Sequence, residues 1–135
     1  MTIRANIATV QTLPGDIIHL ENRLLHVAIE PAHGGKIRSF TSKRTGVDYL
    51  FADPRTRFTD LGDYSDHDIS GFDECFPTVW PCNYPDGSCH GMPLRDHGYL
   101  WQGAWQPEQG AGIRDGTERD EQRVTLVTDT PELRC

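Results

Sequence analysis

A period-two alternation of apolar and polar side chains over the first fifty residues constrains the fold of this chain more than any other feature. Such alternation is typical of half-buried β-strands. It predicts strands at residues 16–21 and 24–29, joined by a turn at Asn22-Arg23. The apolar side chains on the shared face of this hairpin are Ile18, Leu20, Leu25, Val27 and Ile29. Since no stretch keeps a period of 3.6 residues, the sequence predicts an all-β fold.

Further strands are predicted at residues 36–41, 47–51, 99–105 and 123–128, with a polar link over residues 110–121. Between residues 53 and 94 the periodicity fades and prolines accumulate, at Pro54, Pro77, Pro81, Pro85 and Pro93. Long irregular segments of compact domains are usually functional or mobile. We therefore expect this segment to lie over one face of the sheet.

A chain of 135 residues fits a single domain, residues 1–135. The last strand pattern finishes a few residues before Cys135. A sheet that ends in this way keeps unpaired edges unless another element covers them. The sequence therefore predicts the N-terminal part of a larger antiparallel β-sandwich, with self-association into a homo-oligomer through the uncovered edges.

The charge distribution excludes several classes of partner. A net charge of −7 without any basic run argues against binding to a phosphate backbone, so we expect no nucleic-acid partner. No window approaches the roughly 18 apolar residues of a membrane helix, and residues 1–6 lack the apolar core of a secretion signal. We therefore expect a cytoplasmic protein without a membrane partner.

Cysteine usage fits that location. In a reducing compartment the four cysteines are predicted to be free thiols; they are Cys75, Cys82, Cys89 and Cys135. Zinc sites use paired Cys-x-x-Cys or Cys/His spacings, and Cys82 and Cys89 are seven residues apart with no second pair following. We expect neither a metal nor another cofactor.

The acidic and aromatic residues are concentrated in one part of the chain. No Lys or Arg occurs from Phe58 to Leu94, and this stretch carries seven carboxylates and hence the whole net charge. Nine of the twelve aromatic residues lie between Phe58 and Trp105. Carboxylates accept hydrogen bonds from hydroxyls, and aromatic faces cover the apolar side of a sugar ring. This composition therefore favours an uncharged, polyhydroxylated ligand, although a solvated acidic loop beside an aromatic core would give the same pattern.

Two motifs stand out in this region, the segment from Ser70 to Val79 (SGFDECFPTV) and the segment from Leu94 to Trp101 (LRDHGYLW). Together with the earlier VAIEP and GGKI stretches, at residues 27–31 and 34–37, they resemble the galactose-mutarotase-like superfamily of aldose 1-epimerases. The resemblance extends over roughly residues 15 to 105, so it would concern the N-terminal portion of that fold.

The resemblance implies a large antiparallel β-sandwich that binds a monosaccharide and interconverts its α and β anomers. In that family the His of the His-Gly step binds the sugar and assists catalysis, and His97 matches it. The family's general acid and general base come later in the chain, in strands that this sequence does not contain. The resemblance therefore implies an isomerase-like protein that is catalytically incompetent by itself.

The candidate site contains His97 as the catalytic residue and five substrate-binding residues: Asp73, Glu74, Asp96, Trp101 and Trp105. Adjacent residues of a strand face opposite sides, so only one of Asp73 and Glu74 can point into a groove, and Glu74 is favoured. Asp96 would fix the His97 ring. Residues 101 and 105 would share a face of a strand, where they either form a stacking wall or fill the core.

Two other functions stay open at this stage. A non-catalytic sugar-binding module fits the same residues. A cupin-like metal-binding barrel would use His67, His90, His97 and Glu74, but metal sites favour closer His-x-His spacings than the seven residues between His90 and His97. Outside the motifs, we expect His67 and His90 to be solvated loop residues.

Overall fold

The computed structural model of the chain describes residues 17–54, 62–108, 114–116 and 121–130. Its largest element is an antiparallel sheet of three strands in the order β1-β2-β3. These strands are β1 (Ile18–Glu21), β2 (Leu25–Glu30) and β3 (Lys36–Ser42). They lie within one or two residues of the three predicted strands, so this part of the prediction is confirmed; Asp16 is outside the described residues.

The register of the hairpin follows the apolar pattern. Ile18 pairs with Ile29 and Leu20 pairs with Val27, so these four side chains share one face of the sheet. His19 and Glu21 lie on the opposite face. A bulge between Ala28 and Ile29 shifts the pairing of β2 with β3.

The remaining elements are short. One 3-10 turn, Tyr64–Asp66, is followed by the paired strands β4 (Cys82–Asn83) and β5 (Pro93–Leu94). Strand β6 (Gln106–Pro107) pairs with β9 (Leu126–Val127), and β7 (Arg114–Gly116) pairs with β8 (Glu121–Arg123). All four sheets are antiparallel. The predicted all-β class is therefore confirmed. In the parts of the chain listed above, no helix is long and apolar enough to cross a membrane.

The predicted strand at residues 47–51 is wrong. Only Asp48 forms an isolated bridge, with Thr41. The carboxylate of Asp48 accepts hydrogen bonds from the backbone N–H groups of Phe40 and Leu50, both at 3.0 Å. A side chain that bonds the backbone in this way replaces part of the strand ladder with a turn.

Two predictions near the end of the chain also need correction. Residues 99–103 form turns rather than a strand, because the indole N–H of Trp101 donates to the carbonyl of Gly98 (2.9 Å) and that of Trp105 to the carbonyl of Leu100 (3.0 Å). The predicted strand at 123–128 is divided between β8 and β9, which pair with different partners. The predicted polar link contains β7 and the start of β8; its residues 110–113 and 117–120 lie outside the described ranges.

The irregular segment after residue 62 was predicted to lie over one face of the sheet, but at Phe72 it pairs with the outer edge of β3. Ile37 and Phe72 exchange two backbone hydrogen bonds, of 3.0 and 2.9 Å. Gly71 permits this approach, since a Cβ at that position would overlap the carbonyl oxygen of Ile37. The most deeply buried large side chains are those of Ile18, Lys36, Asp68 and Trp101. Two of these four are charged, so the core at this contact is held together by polar as well as apolar groups.

The prediction of free thiols is corrected at Cys89, while Cys135 lies outside the described residues. Cys75 and Cys82 are free thiols, as expected. Cys89, which is only 8% exposed, is disulfide-bonded.

Candidate functional site

A tight turn at residues 95–98 positions His97. The backbone N–H of Gly98 donates to the carbonyl of Arg95 (3.0 Å), and His97 has a φ of 57°. Positive φ is uncommon for residues other than glycine, although His is among the side chains enriched there. Gly98 follows with a φ of 67°, and a Cβ on it would overlap the carbonyl oxygen of Phe76. That carbonyl accepts the N–H of Tyr99 (2.8 Å), so the turn is anchored on both sides of the histidine.

The imidazole of His97 contacts one carboxylate and one aromatic ring. Its Nδ1 lies 3.0 Å from Oδ1 of Asp96, within ion-pairing distance. Its ring stacks on that of Tyr64, with centroids 3.7 Å apart and planes inclined by 11°. The side chain is 26% exposed, whereas Nδ1 itself is buried. The solvent-facing part of the ring therefore consists of atoms other than Nδ1.

Tyr64 is itself held from two sides. Its hydroxyl donates to Oδ2 of Asp73 at 3.2 Å, and its ring meets Trp101 edge-on at 5.4 Å between centroids. Burial and the negative charge of Asp73 raise the pKa of the Tyr64 hydroxyl far above its ordinary value. Tyr64 therefore stays protonated and remains a hydrogen-bond donor to Asp73.

Asp73 belongs to a buried ion pair with Lys36. The ammonium of Lys36 lies 2.8 and 2.9 Å from the two carboxylate oxygens of Asp73. It also donates to the carbonyls of Asp68 (2.6 Å) and Ser70 (2.7 Å). The two side chains of the pair are 1% and 5% exposed. A buried charge pair of this kind persists only when further hydrogen bonds satisfy both groups, as the two carbonyls do for Lys36.

His67 lies beside this pair and is buried, which corrects its prediction as a solvated loop residue. Its Nε2 is 3.6 Å from Asp73, and its ring packs against Trp101 with centroids 4.6 Å apart. Burial, together with the positive charge of Lys36, lowers the pKa of the imidazole. By contrast, His90 is exposed as expected, and its Nδ1 lies 2.8 Å from the carbonyl oxygen of Pro85.

The structure connects three of the predicted site residues with one another, and the remaining ones differ in how far they are buried. His97, Asp96 and Asp73 all connect to Tyr64 or to its stacked neighbour. The side chains of Asp73 and Glu74 point to opposite sides, as predicted. However, Asp73 is the buried one and Glu74 is exposed, so the preference for Glu74 as the inward-pointing residue was wrong.

The two predicted tryptophans occupy different environments. Trp101 is 1% exposed and carries the Arg95 guanidinium 4.5 Å above its ring, so it presents no open face to a ligand. Trp105 is half-buried, and its ring packs against Gly35.

Three residues of this arrangement were not predicted: Lys36, Tyr64 and His67. Lys36 pairs with a carboxylate 37 positions away, so no local pattern in the sequence signals its role. Tyr64 and His67 are three residues apart, and the spacing matches the turn in which the N–H of His67 donates to the carbonyl of Tyr64 (3.1 Å). That spacing was the only signal available for the two residues.

An open cavity of about 540 Å³ lies elsewhere, between β3 and the start of the irregular segment. Its lining residues are Arg38, Ala52, Asp53, Pro54, Asp68 and Ser70. The guanidinium of Arg38 is bound by the carboxylates of Asp68 and Glu30, the latter at 2.7 Å. None of the predicted site residues lines this cavity.

Comparison with known proteins gives no family for the chain: no family model, no curated protein and no solved structure matches it. Within the described ranges, no group of three or more His, Cys, Asp or Glu side chains could hold a metal ion.

Proposed function

We propose that this chain binds a neutral monosaccharide against the Asp96–His97 pair and is related in function to the aldose 1-epimerases. The observation that carries the proposal is the placement of His97. A positive-φ turn and the stacked Tyr64 ring fix its imidazole, and its Nδ1 is buried towards Asp96 while the ring remains partly exposed. Residues held in sparsely populated backbone conformations cluster at functional sites, where the surrounding structure maintains them.

The chemistry that this placement supports is proton transfer at the anomeric carbon. Oδ1 of Asp96 lies 3.0 Å from Nδ1 without completing a hydrogen bond. Its negative charge favours the tautomer with the proton on that nitrogen, which leaves Nε2 as an acceptor. Nε2 would take the proton of the C1 hydroxyl while a second group protonates the ring oxygen. The C1–O5 bond breaks and the C1 carbonyl forms. Rotation about C1–C2 and the reverse transfers then close the other anomer and restore both groups.

His97 is the only proton-transfer group that we assign. General acid–base catalysis needs both an acid and a base, so binding and turnover are separate parts of the proposal. Asp73 is not the second group, because Lys36 already occupies both of its carboxylate oxygens. Glu74, which follows Asp73 in the sequence, is exposed, so its carboxylate is free to accept hydrogen bonds from sugar hydroxyls.

The two-sheet sandwich belongs to the same proposal, whereas the cytoplasmic location stays a prediction from the sequence. The antiparallel sheets support the sandwich. The Cys89 disulfide argues against the cytoplasm, because disulfides are rare in reducing compartments. Alkylation of the thiols in intact cells, followed by mass spectrometry, tests the location: an alkylated Cys89 would place the protein in a reducing compartment.

Saturation-transfer NMR with D-glucose and D-galactose at tens of millimolar tests the binding half. We expect weak binding, about millimolar, because a small polar ligand gains little net free energy on leaving water. His97→Gln should abolish the signal. The matched control His90→Gln replaces an exposed loop histidine and should leave the signal unchanged. A signal that survives His97→Gln would contradict the site, and the absence of any signal with wild type would contradict the function.

Two further measurements distinguish between the remaining hypotheses for the function and for the binding site. Polarimetry on fresh α-anomers distinguishes a catalyst from a non-catalytic sugar-binding module, since only a catalyst speeds equilibration beyond the His97→Gln protein. Ala52→Leu places a larger side chain at the wall of the cavity beside Arg38. If this variant lost the sugar signal while His97→Gln kept it, the ligand would belong to that cavity.

A further inference from the structure

The outer face of the first hairpin carries two histidines in direct contact. His19 of β1 and His26 of β2 approach with Nδ1 of the first 3.0 Å from Nε2 of the second. Their rings are nearly parallel, with planes inclined by 21° and centroids 5.1 Å apart. The contact joins adjacent antiparallel strands, on the face opposite to Ile18 and Leu20.

The distance between the two nitrogens is similar to that between two imidazole nitrogens bound to one transition-metal ion. Two imidazole nitrogens bound at about 2.0–2.1 Å from one ion lie about 2.9 Å apart at a right angle and about 3.3 Å apart at the tetrahedral angle. The observed 3.0 Å is a hydrogen-bond length, and it shows that the two nitrogens can approach as closely as one ion requires. Right-angle nitrogen pairs occur in the square-planar and tetragonal sites of Cu²⁺ and Ni²⁺, for which imidazole is a preferred ligand.

We infer that His19 and His26 form a two-histidine site for a divalent ion of the late first transition series, independent of the proposed sugar site. Water completes the coordination, because the described residues provide no third ligand in suitable geometry. In the structure the two nitrogens face each other in a hydrogen bond. Binding requires both rings to rotate until their lone pairs meet at one point, and the exposure of His19 allows this rotation.

The charges around the pair are balanced. Glu21 faces His26 across the strands and lies on the same side of the sheet, where its negative charge favours a cation. The ammonium of Lys43 lies 2.7 Å from Glu21 and offsets that charge. The two imidazoles therefore provide most of the affinity, and neither is a ligand when protonated.

Calorimetric titration of the untagged full-length protein with Ni²⁺ at pH 7.5 tests the inference. Every sample carries Cys82→Ser, which removes an exposed thiol that would compete for the ion. We expect one site, and a loss of affinity of at least about tenfold in both His19→Ala and His26→Ala because each removes one of two protein ligands. His90→Ala, which removes an exposed histidine outside the pair, should bind like the parent.

A second readout locates the ion. Cu²⁺, which is paramagnetic in every coordination geometry, should broaden the amide signals of β1 and β2 in the parent and leave them sharp in the His19→Ala/His26→Ala protein. Unchanged affinity in both single variants, or broadening centred elsewhere, would overturn the site. Circular dichroism of each variant shows whether the hairpin itself is retained; if it is lost, the broadening pattern of the parent alone decides the question.

Discussion

The ring of Tyr64 lies flat against the ring of His97, with 3.7 Å between the two centroids. The hydroxyl of the same tyrosine donates to Asp73, and Asp73 pairs with Lys36 at the start of β3. One continuous set of contacts therefore runs from the start of β3 to the partly exposed ring of His97. Because each member of this set has a buried partner, the position of His97 depends on the buried ion pair.

Replacing Lys36 by Met should be strongly destabilising. The substitution leaves the carboxylate of Asp73 buried without its cation, and losing one partner of a buried pair costs about 3–5 kcal/mol. The control is Lys43→Met, in the turn directly after β3, whose partner Glu21 is 57% exposed; a surface pair of this kind contributes little to stability. Urea denaturation measures both.

A double variant separates the charge effect from the packing effect. Lys36→Met/Asp73→Leu removes both charges, so it should be more stable than Lys36→Met alone. Equal costs for Lys36→Met and Lys43→Met would contradict the buried pair.

The three-stranded sheet could be predicted because the sequence pattern that specifies it is local. Alternation assigns each of Ile18, Leu20 and Val27 to a face, and the short turn fixes which residues meet across the hairpin. The same reasoning failed at residues 47–51, where the side chain of Asp48 takes over backbone hydrogen bonds that a strand would otherwise form. A competition between a side chain and a backbone ladder is not visible in the apolar pattern.

The site was predictable only in part, for a related reason. Asp96 and His97 are adjacent in the sequence, so a contact between their side chains could be expected from the sequence alone. Tyr64 and Lys36 reach the site through contacts that span 9 and 37 positions to Asp73, and periodicity carries no information about such pairings. The burial of Trp101 was one of two outcomes that the sequence left open.

Gly98→Ala should disrupt the turn that holds His97. A Cβ would overlap the backbone carbonyl of Phe76, and backbone atoms have little room to move. Gly46 has a φ of 70° but no atom within 4 Å of its hypothetical Cβ, so Gly46→Ala reports the cost of positive φ alone, about 1–2 kcal/mol.

We expect the Gly98 variant to lose about 4 kcal/mol or more in urea denaturation, since overlap with backbone adds to the cost of φ. Matching losses for the two glycine variants would show that the Phe76 contact is looser than described.

The free thiols of Cys75 and Cys82 should differ in reactivity. Burial, together with the nearby charges of Asp73 and Glu74, raises the pKa of the Cys75 thiol, whereas Cys82 is exposed. Because the thiolate is the reacting species, iodoacetamide at pH 8 should modify Cys82 faster than Cys75. Cys89 should react only after reduction. Peptide mass spectrometry over a time course gives the rates, and faster modification of Cys75 would refute this environment.

His67 should make stability depend on pH just below neutrality. Its imidazole is fully buried between Trp101 and the Lys36–Asp73 pair, and its pKa is lowered by burial and by the Lys36 charge. In the unfolded chain a histidine titrates near pH 6.5. Below about pH 6.5 the unfolded state therefore takes up a proton that the folded state does not, and the free energy of unfolding falls by up to about 1.4 kcal/mol per pH unit until the lowered pKa is reached. Above about pH 7 this contribution is fully present and constant.

Urea midpoints of the wild type, His67→Gln and the exposed control His90→Gln, measured at half-unit steps from pH 8 to pH 5, isolate this effect. The carboxylates of Glu21 and Asp48 have lowered pKa values, so their contributions disappear only at more acidic pH. Between pH 6.5 and pH 5 the wild type and His90→Gln should lose stability in parallel, while His67→Gln should have a shallower slope because it has no proton to take up. Superimposable pH profiles for the three proteins would mean that His67 is accessible to protons in the folded state, and that the buried position beside Asp73 does not persist in solution.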